Sequence, residues 1–290
     1  MHEVVIISGK GGTGKTSLTA AFAHLARNKV ICDLDVDAPD LHLLLDPRHE
    51  KEVEFWAGNE AHIEEEKCQQ CGLCKEMCRY GAVVEHADGR YSIDSLRCEG
   101  CKVCVTFCPD TAIEFPEKHC GQWFVSTTRF GPMVHARLFP GEENSGRLVA
   151  LLKQQAKELA ERQGLDLILS DGAPGIGCPV ISSLSGTHLA VLVTEPTPSG
   201  RHDLKRVAAL CEHFRIPTVV IINKFDLNLE ETASIESDCQ EKNYPVIAHL
   251  PHDPVITEAM VRKCAVTELA GTDLGKNIQQ AWLEIEQRIA

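Results

Sequence analysis

Short runs of aliphatic and β-branched residues recur along the chain, and between them apolar positions fall at helical spacing. Val4-Val5-Ile6-Ile7 ends in glycines and suits a buried parallel strand. Thr16 to Arg27 has the Ala and Leu content of a helix, and Val30-Ile31-Cys32-Asp33-Leu34-Asp35 reads as a second strand. Around Phe55 to Glu66 the pattern turns acidic and loses its period. Ala82-Val83-Val84 and Tyr91-Ser92-Ile93 then read as short strands about a turn at Asp88-Gly89. Leu148 to Arg162 forms an amphipathic helix closed by Gly164. Strand-like runs follow, one from Leu165 to Ser170 and ending at Asp171, then Leu189 to Val193, Thr218 to Asn223 and Val246 to Leu250. Strands alternating with helices predict an α/β fold with a doubly wound, mostly parallel sheet. A small α+β module interrupts it, so the expected segments are 1–60, the insert 61–118, and 119–290.

A length of 290 residues fits one α/β core with an insertion. Hydrophobic residues make up 43% of the chain, but no apolar run approaches the ~20 residues that span a bilayer, so no stable membrane association is expected. The start, Met1-His2-Glu3-Val4, lacks a basic leader and reads as a first strand rather than an export signal. A net charge of -13 without a dense basic run argues against nucleic acid as a partner. Near the end, Ile278, Trp282, Ile285 and Ile289 share one helical face with Glu284 and Glu286 among them. That face is expected to pack on the core, since a membrane-surface helix favours Lys and Arg.

Two motifs carry chemistry. Gly9-x4-Gly14-Lys15-Thr16, between strand and helix, is the Walker A pattern. Its backbone N–H groups at Gly11, Gly12, Thr13 and Gly14, with Ser17 in the first helical turn, suit a phosphate chain. Lys15 would reach the β- and γ-phosphates, and the Thr16 hydroxyl would bind Mg²⁺. The second motif is a repeat, Cys68-x2-Cys71-x2-Cys74-x3-Cys78 and Cys98-x2-Cys101-x2-Cys104-x3-Cys108. Zinc sites usually pair their cysteines across a longer gap, whereas each tight set of four can wrap an iron–sulfur cubane. Fourteen cysteines with eight in metal spacing fit a reducing cytosol, so a cytoplasmic location is expected. Cys32 and Cys211 read as small buried apolar residues, while Cys120 and Cys178 are left open as functional candidates.

Lys10, just inside the first glycine, makes the loop Lys-Gly-Gly-Thr-Gly-Lys-Thr. That loop resembles the deviant Walker A of the MinD/ParA/Mrp and nitrogenase-iron-protein group of P-loop ATPases. In that group the early lysine crosses a dimer interface to the partner's nucleotide, which implies an ATP-dependent homodimer. Asp33-Leu34-Asp35-Val36-Asp37 matches the group's switch I, with Asp35 as the water-orienting residue and Asp37 the alternative. Asp171-Gly172-Ala173-Pro174-Gly175 matches its Walker B and switch II segment, with Asp171 holding Mg²⁺. Asn223-Lys224-Phe225-Asp226 has the Asn-Lys-x-Asp spacing that reads guanine in many GTPases. In MinD-like ATPases the asparagine contacts adenine, so ATP is favoured, with Pro251-His252-Asp253 lining the base pocket.

The cysteine repeat resembles the bacterial two-cluster ferredoxin, in which the fourth cysteine of each run serves the other cluster. The resemblance implies one [4Fe–4S] cluster on Cys68, Cys71, Cys74 and Cys108, and a second on Cys98, Cys101, Cys104 and Cys78. Arg79 departs from that pattern, standing where Pro109 follows the second run. The insert's many glutamates, Glu64-Glu65-Glu66, Glu76 and Glu99 among them, point to low reduction potentials. The whole chain thus resembles MinD-superfamily ATPases carrying an inserted ferredoxin domain. Two polar loops, Gly141-Glu142-Glu143-Asn144-Ser145-Gly146 and Thr194-Glu195-Pro196-Thr197-Pro198-Ser199-Gly200, fall within the resemblance without yielding a chemistry. Three functions stay open: ATP-gated electron transfer with a redox or client partner protein, cluster assembly or delivery of the Mrp type, and MinD-like spatial regulation with clusters as staples or sensors.

Overall fold

A computed structural model describes residues 1–142 and 145–290; Glu143 and Asn144 of the first polar loop lie outside the described residues. The chain forms two compact units. The first comprises Met1–Val53, Gln122–Leu138 and Ser145–Ala290, and the second Glu54–Gly121 with Phe139–Asn144.

The first unit opens with β1 (His2–Ser8), α1 (Lys15–Leu25), β2 (Lys29–Asp33) and α2 (Leu41–Leu45). β3 (Arg48–Asn59) begins there and continues into the second unit, which holds β4 (His62–Ile63), α3 (Leu73–Met77), β5 (Val83–Glu85), β6 (Tyr91–Ile93), α4 (Val103–Phe107) and β7 (Ile113–Glu114). β8 (Glu117–Thr128) leads back, followed by β9 (Gly131–Leu138), α5 (Ser145–Gln163), β10 (Leu167–Pro174), α6 (Cys178–Leu184) and β11 (Leu189–Thr194). The chain ends with α7 (Pro198–His213), β12 (Thr218–Asn223), α8 (Leu229–Glu241), β13 (Val246–Leu250), α9 (Val255–Val261) and α10 (Asp273–Ile289).

The large sheet runs β13-β12-β11-β1-β10-β2-β9-β8-β3. Strands from β13 to β9 pair in parallel. β1 explains the arrangement. Val4 and Ile6 are buried on one face with Phe22, Ile278, Trp282 and Ile285, and Val5 and Ile7 on the other with Val180, Leu184, Leu204 and Ile235. Each fully buried aliphatic side chain contributes about 1.5–3 kcal/mol, so only a nearly unbroken apolar run suits a strand covered on both sides. The C-terminal face packs on this core, with the Trp282 and Phe22 ring centroids 5.4 Å apart. Because β1 lies between β10 and β11, the strand order reverses beside it, where doubly wound folds gather their ligands.

The unexpected elements lie at the far end of the sheet. Residues 55–59, where the apolar period fades, belong to β3, a twelve-residue edge strand. Its run Arg48-His49-Glu50-Lys51-Glu52 is charged because an edge with one open face is kept from pairing with other chains by such residues. Lys51 lies 4.8 Å over the Trp123 ring and Gln122 donates to Glu52 across to β8. β8 and β9 form a hairpin through Arg129-Phe130 that no sequence signal announced.

Within the second unit, β4 pairs with β7 and β5 with β6, each antiparallel. Left-handed backbone recurs at equivalent places in the two cysteine runs: Gln70 and Gly100, Gly72 and Lys102, Gly81 and Thr111. Three of those six carry a side chain, so the loop shape is imposed by the repeat rather than by glycine alone.

Candidate functional site

The loop after β1 and the start of α1 wall a pocket of about 520 Å³. Gly11, Gly12, Thr13, Gly14, Lys15, Thr16 and Ser17 line it, with Asp35 after β2, Asn223 at the end of β12, and Pro251 after β13. Asp37 is exposed and does not line it, whereas Asp35 and Asp40 do. Gly9 is required by closeness: an added Cβ would sit 2.4 Å from Asp203 Cβ and 2.7 Å from its backbone on α7.

Behind the pocket, Asp171 is wholly buried within β10. Its carboxylate accepts from Lys15 Nζ at 3.0 Å, Thr16 Oγ1 at 2.8 Å and Thr19 Oγ1 at 2.9 Å. Lys15 also reaches Asp35 at 3.4 Å. Burial works against the Lys15 charge, but Asp171, Asp35 and Asp33 outweigh it and raise its pKa. Burial pushes the Asp35 carboxyl up, and it pushes Asp33 well up with help from the Asp171 charge. Asp33 Oδ1 accepts from the Asp35 N–H at 3.1 Å, while Asp33 Oδ2 is buried without a partner. The Thr13 hydroxyl, on the pocket wall, is likewise buried and unpartnered. The orphaned Thr13 hydroxyl on the wall fits a site built for phosphate oxygens.

Lys10 turns elsewhere. It is absent from the pocket lining, and its Nζ lies 2.7 Å from Glu195 and 3.2 Å from Thr197 Oγ1, in the loop joining β11 to α7, and 3.0 Å from Ser199 Oγ in the first turn of α7. Glu195 also pairs with Lys224 at 3.1 Å, and Lys224 Nζ donates to the Gly12 carbonyl at 3.0 Å. Burial would raise the Glu195 pKa, yet the two lysines bring it below the ordinary value. Sequence reasoning placed this loop without assigning it a chemistry; an acidic residue in Thr-Glu-Pro at a strand end was the available signal. Lys224 was read only as part of the Asn-Lys-x-Asp run, and the apolar floor of Ile256, Met260 and Leu274 was missed outright.

In the second unit, Cys68, Cys71, Cys74 and Cys108 line one cavity with Ile63 and Tyr91. Cys78, Cys98, Cys101 and Cys104 line another with Val83 and Phe115. Each cavity therefore takes three cysteines from one run and the last from the other. Among the described residues, no three His, Cys, Asp or Glu side chains converge on a single metal-ion position. Arg79 leaves the following turn unchanged: Cys78 Sγ accepts from the Ala82 N–H at 3.4 Å just as Cys108 Sγ accepts from Ala112 at 3.3 Å. Burial pushes the Cys78 thiol up, but the N–H groups of Ala82 and its neighbours outweigh it and favour the thiolate. Of the cysteines outside the repeat, Cys32, Cys120 and Cys211 are buried and Cys178 is exposed.

A model of the CobQ/CobB/MinD/ParA nucleotide-binding domain matches residues 4–265. The chain belongs to that family. This member is 33% identical over 229 residues to an uncharacterised protein of Methanocaldococcus jannaschii, across 78% of this chain and 79% of the other. It is 39% identical over 51 residues to the pyruvate synthase subunit PorD of the same organism, 18% of this chain and 59% of PorD. Its fold is similar to that of the septum site-determining protein MinD from Pyrococcus horikoshii, solved with Mg-ADP. That likeness has a TM-score of 0.60 at 18% identity and covers 99% of this chain and 96% of that one. No helix among the described residues is long and apolar enough to cross a membrane.

Proposed function

We propose that this family member is a Mg-ATP-dependent ATPase working as a nucleotide-driven homodimer, and that its cysteine unit holds two [4Fe–4S] clusters. ATP binding and hydrolysis would be coupled to electron transfer or to a redox-dependent partner, in a reducing cytoplasm. One observation carries the reading: the chain pairs a P-loop pocket with two cavities, each ringed by four thiols drawn from both cysteine runs. When bound, the clusters would supply one-electron chemistry.

Each of the chain's own residues would then have a role. The backbone N–H groups of residues 11–14 would cradle phosphate oxygens at the positive end of α1. Lys15 would move from Asp171 and Asp35 to the β- and γ-phosphates, and Thr16 and Asp171 would hold Mg²⁺, which neutralises charge on them. Asp35, its proton affinity raised by burial, would orient the attacking water. Lys10 would leave Glu195 for the nucleotide of the second subunit, completing charge neutralisation in trans. Asn223 and Pro251 would border the base.

Anaerobic reconstitution tests the reading. Iron and sulfide should load in equal amounts, with Mg-ATP hydrolysis and ATP-dependent dimers in the same sample. Loaded protein should keep its iron in the presence of an apo-acceptor, whereas a delivery factor would surrender it.

A further inference from the structure

The second unit divides its positive charge unevenly between the two cysteine cavities. Lys67, Lys75, Arg90, Arg97 and Lys118 each lie within 3.3 Å of a carboxylate, on Glu64, Glu85, Asp88, Asp94 and Glu142 in turn. Among the described residues, Arg79 and Lys102 pair with no carboxylate. Both belong to one cavity, Arg79 following its Cys78 and Lys102 following its Cys101. Lys102 also lines that cavity, its Nζ 5.7 Å from the ring centroid of Phe115 on the same wall. The ring face attracts the cation and keeps it beside the cavity.

The other cavity has the opposite sign. In the repeat, Pro109 and Gly72 stand where Arg79 and Lys102 stand, and both line its wall. A Cβ at Gly72 would lie 3.1 Å from the Tyr91 hydroxyl, so the place of Lys102 is crowded here. Lys67 and Lys75, beside Cys68 and Cys74, are already neutralised. That leaves Asp110 as the charged wall residue. Glu99 lines the first cavity and offsets one of its two cations, which still leaves an excess of positive charge there. Adding an electron makes a cluster more negative, so a neighbouring cation favours reduction and a carboxylate opposes it.

We propose that the two cavities hold inequivalent redox centres, and that Arg79 and Lys102 make the centre on Cys78, Cys98, Cys101 and Cys104 the first to be reduced. An external one-electron donor loses one electron, that centre gains it, and no bond or proton changes hands. The inference rests on the cluster reading above.

Spectroelectrochemical reduction of the anaerobically reconstituted full chain, followed by electron paramagnetic resonance, tests it. Wild type should show two midpoints at least about tenfold apart in the one-electron equilibrium, or about 59 mV. Arg79 and Lys102 are exposed, so Lys102→Gln and Arg79→Gln should each weaken reduction at the higher midpoint about fourfold, as one screened charge would, and leave the lower midpoint in place. Lys102→Arg and Arg79→Lys keep the charge and should match wild type. Asp110→Asn should raise the lower midpoint alone, and it reads the same asymmetry where a glutamine variant fails to load iron. A single midpoint in wild type would overturn the proposal. So would glutamine variants that move both midpoints equally or the lower one alone. A wild type that takes up no iron would instead overturn the cluster reading itself.

Discussion

Replacing Lys10 by alanine separates two roles that the loop sequence alone confounds. In the structure its ammonium pairs with Glu195 at 2.7 Å and takes no part in the pocket wall. With side-chain exposures of 29% and 16%, the pair is partly screened, and its loss should cost at most about 1 kcal/mol of stability. ATP affinity of a single chain should change less than about threefold, because no lining atom is removed. Hydrolysis should fall by about a thousandfold or more, the range for removing a cation that completes the transition-state charge in trans. Calorimetric ATP binding and phosphate release, both at concentrations where wild type dimerises, supply the two numbers. Unchanged hydrolysis would refute the in-trans role. A parallel loss of ATP affinity would show that Lys10 serves its own subunit's nucleotide. Glu195→Gln is the complement: it removes the charge that holds Lys10 in cis, so ATP-driven dimers should form at roughly fivefold lower protein concentration, the equivalent of about 1 kcal/mol.

Gly9→Ala should drive its methyl into the α7 backbone at Asp203, displacing the phosphate loop; ATP affinity should drop by at least about tenfold with a modest fall in melting temperature, measured by calorimetry. His135 is 5% exposed, and burial with neighbouring His49 and His42 lowers its pKa from 6.5 to about 3. The folded form thus refuses a proton that the unfolded chain accepts, and stability is lost as pH falls from 6.5 towards 3. His135→Gln should therefore shrink the stability difference between pH 7 and pH 5 by roughly 2 kcal/mol in urea titrations. Cys74→Ser should remove the iron of one cavity and leave the other loaded, read as about half the wild-type iron content after anaerobic reconstitution.

The parallel strands were legible because burial on both faces leaves little choice of residue: Val4 to Ile7 and Thr218 to Ile222 are apolar almost without interruption. β3 was not, since an edge strand with an open face selects charge, and Arg48 to Glu52 look like a loop. β9 mixes Pro132, His135 and Arg137 into a mostly buried strand, hiding its period. At the nucleotide pocket the contiguous motif was readable as chemistry. Glu195 and Lys224 were not, because their meaning lies in meeting Lys10 and Gly12 across the fold. The ferredoxin resemblance implied the two groups of cysteines that line the two cavities, but the matched left-handed positions Gly81 and Thr111 after the two runs belong to backbone shape that composition does not report.

The most direct test joins the two units: potentiometric titration of the reconstituted protein without nucleotide, with Mg-ADP and with a non-hydrolysable ATP analogue. If triphosphate-driven dimerisation alters the surroundings of the iron centres, at least one midpoint should move by some tens of millivolts, about 59 mV corresponding to a tenfold change in a one-electron equilibrium. Identical midpoints in all three conditions, with unchanged chelator access to iron, would contradict coupling and leave a nucleotide switch and an electron carrier that merely share a chain.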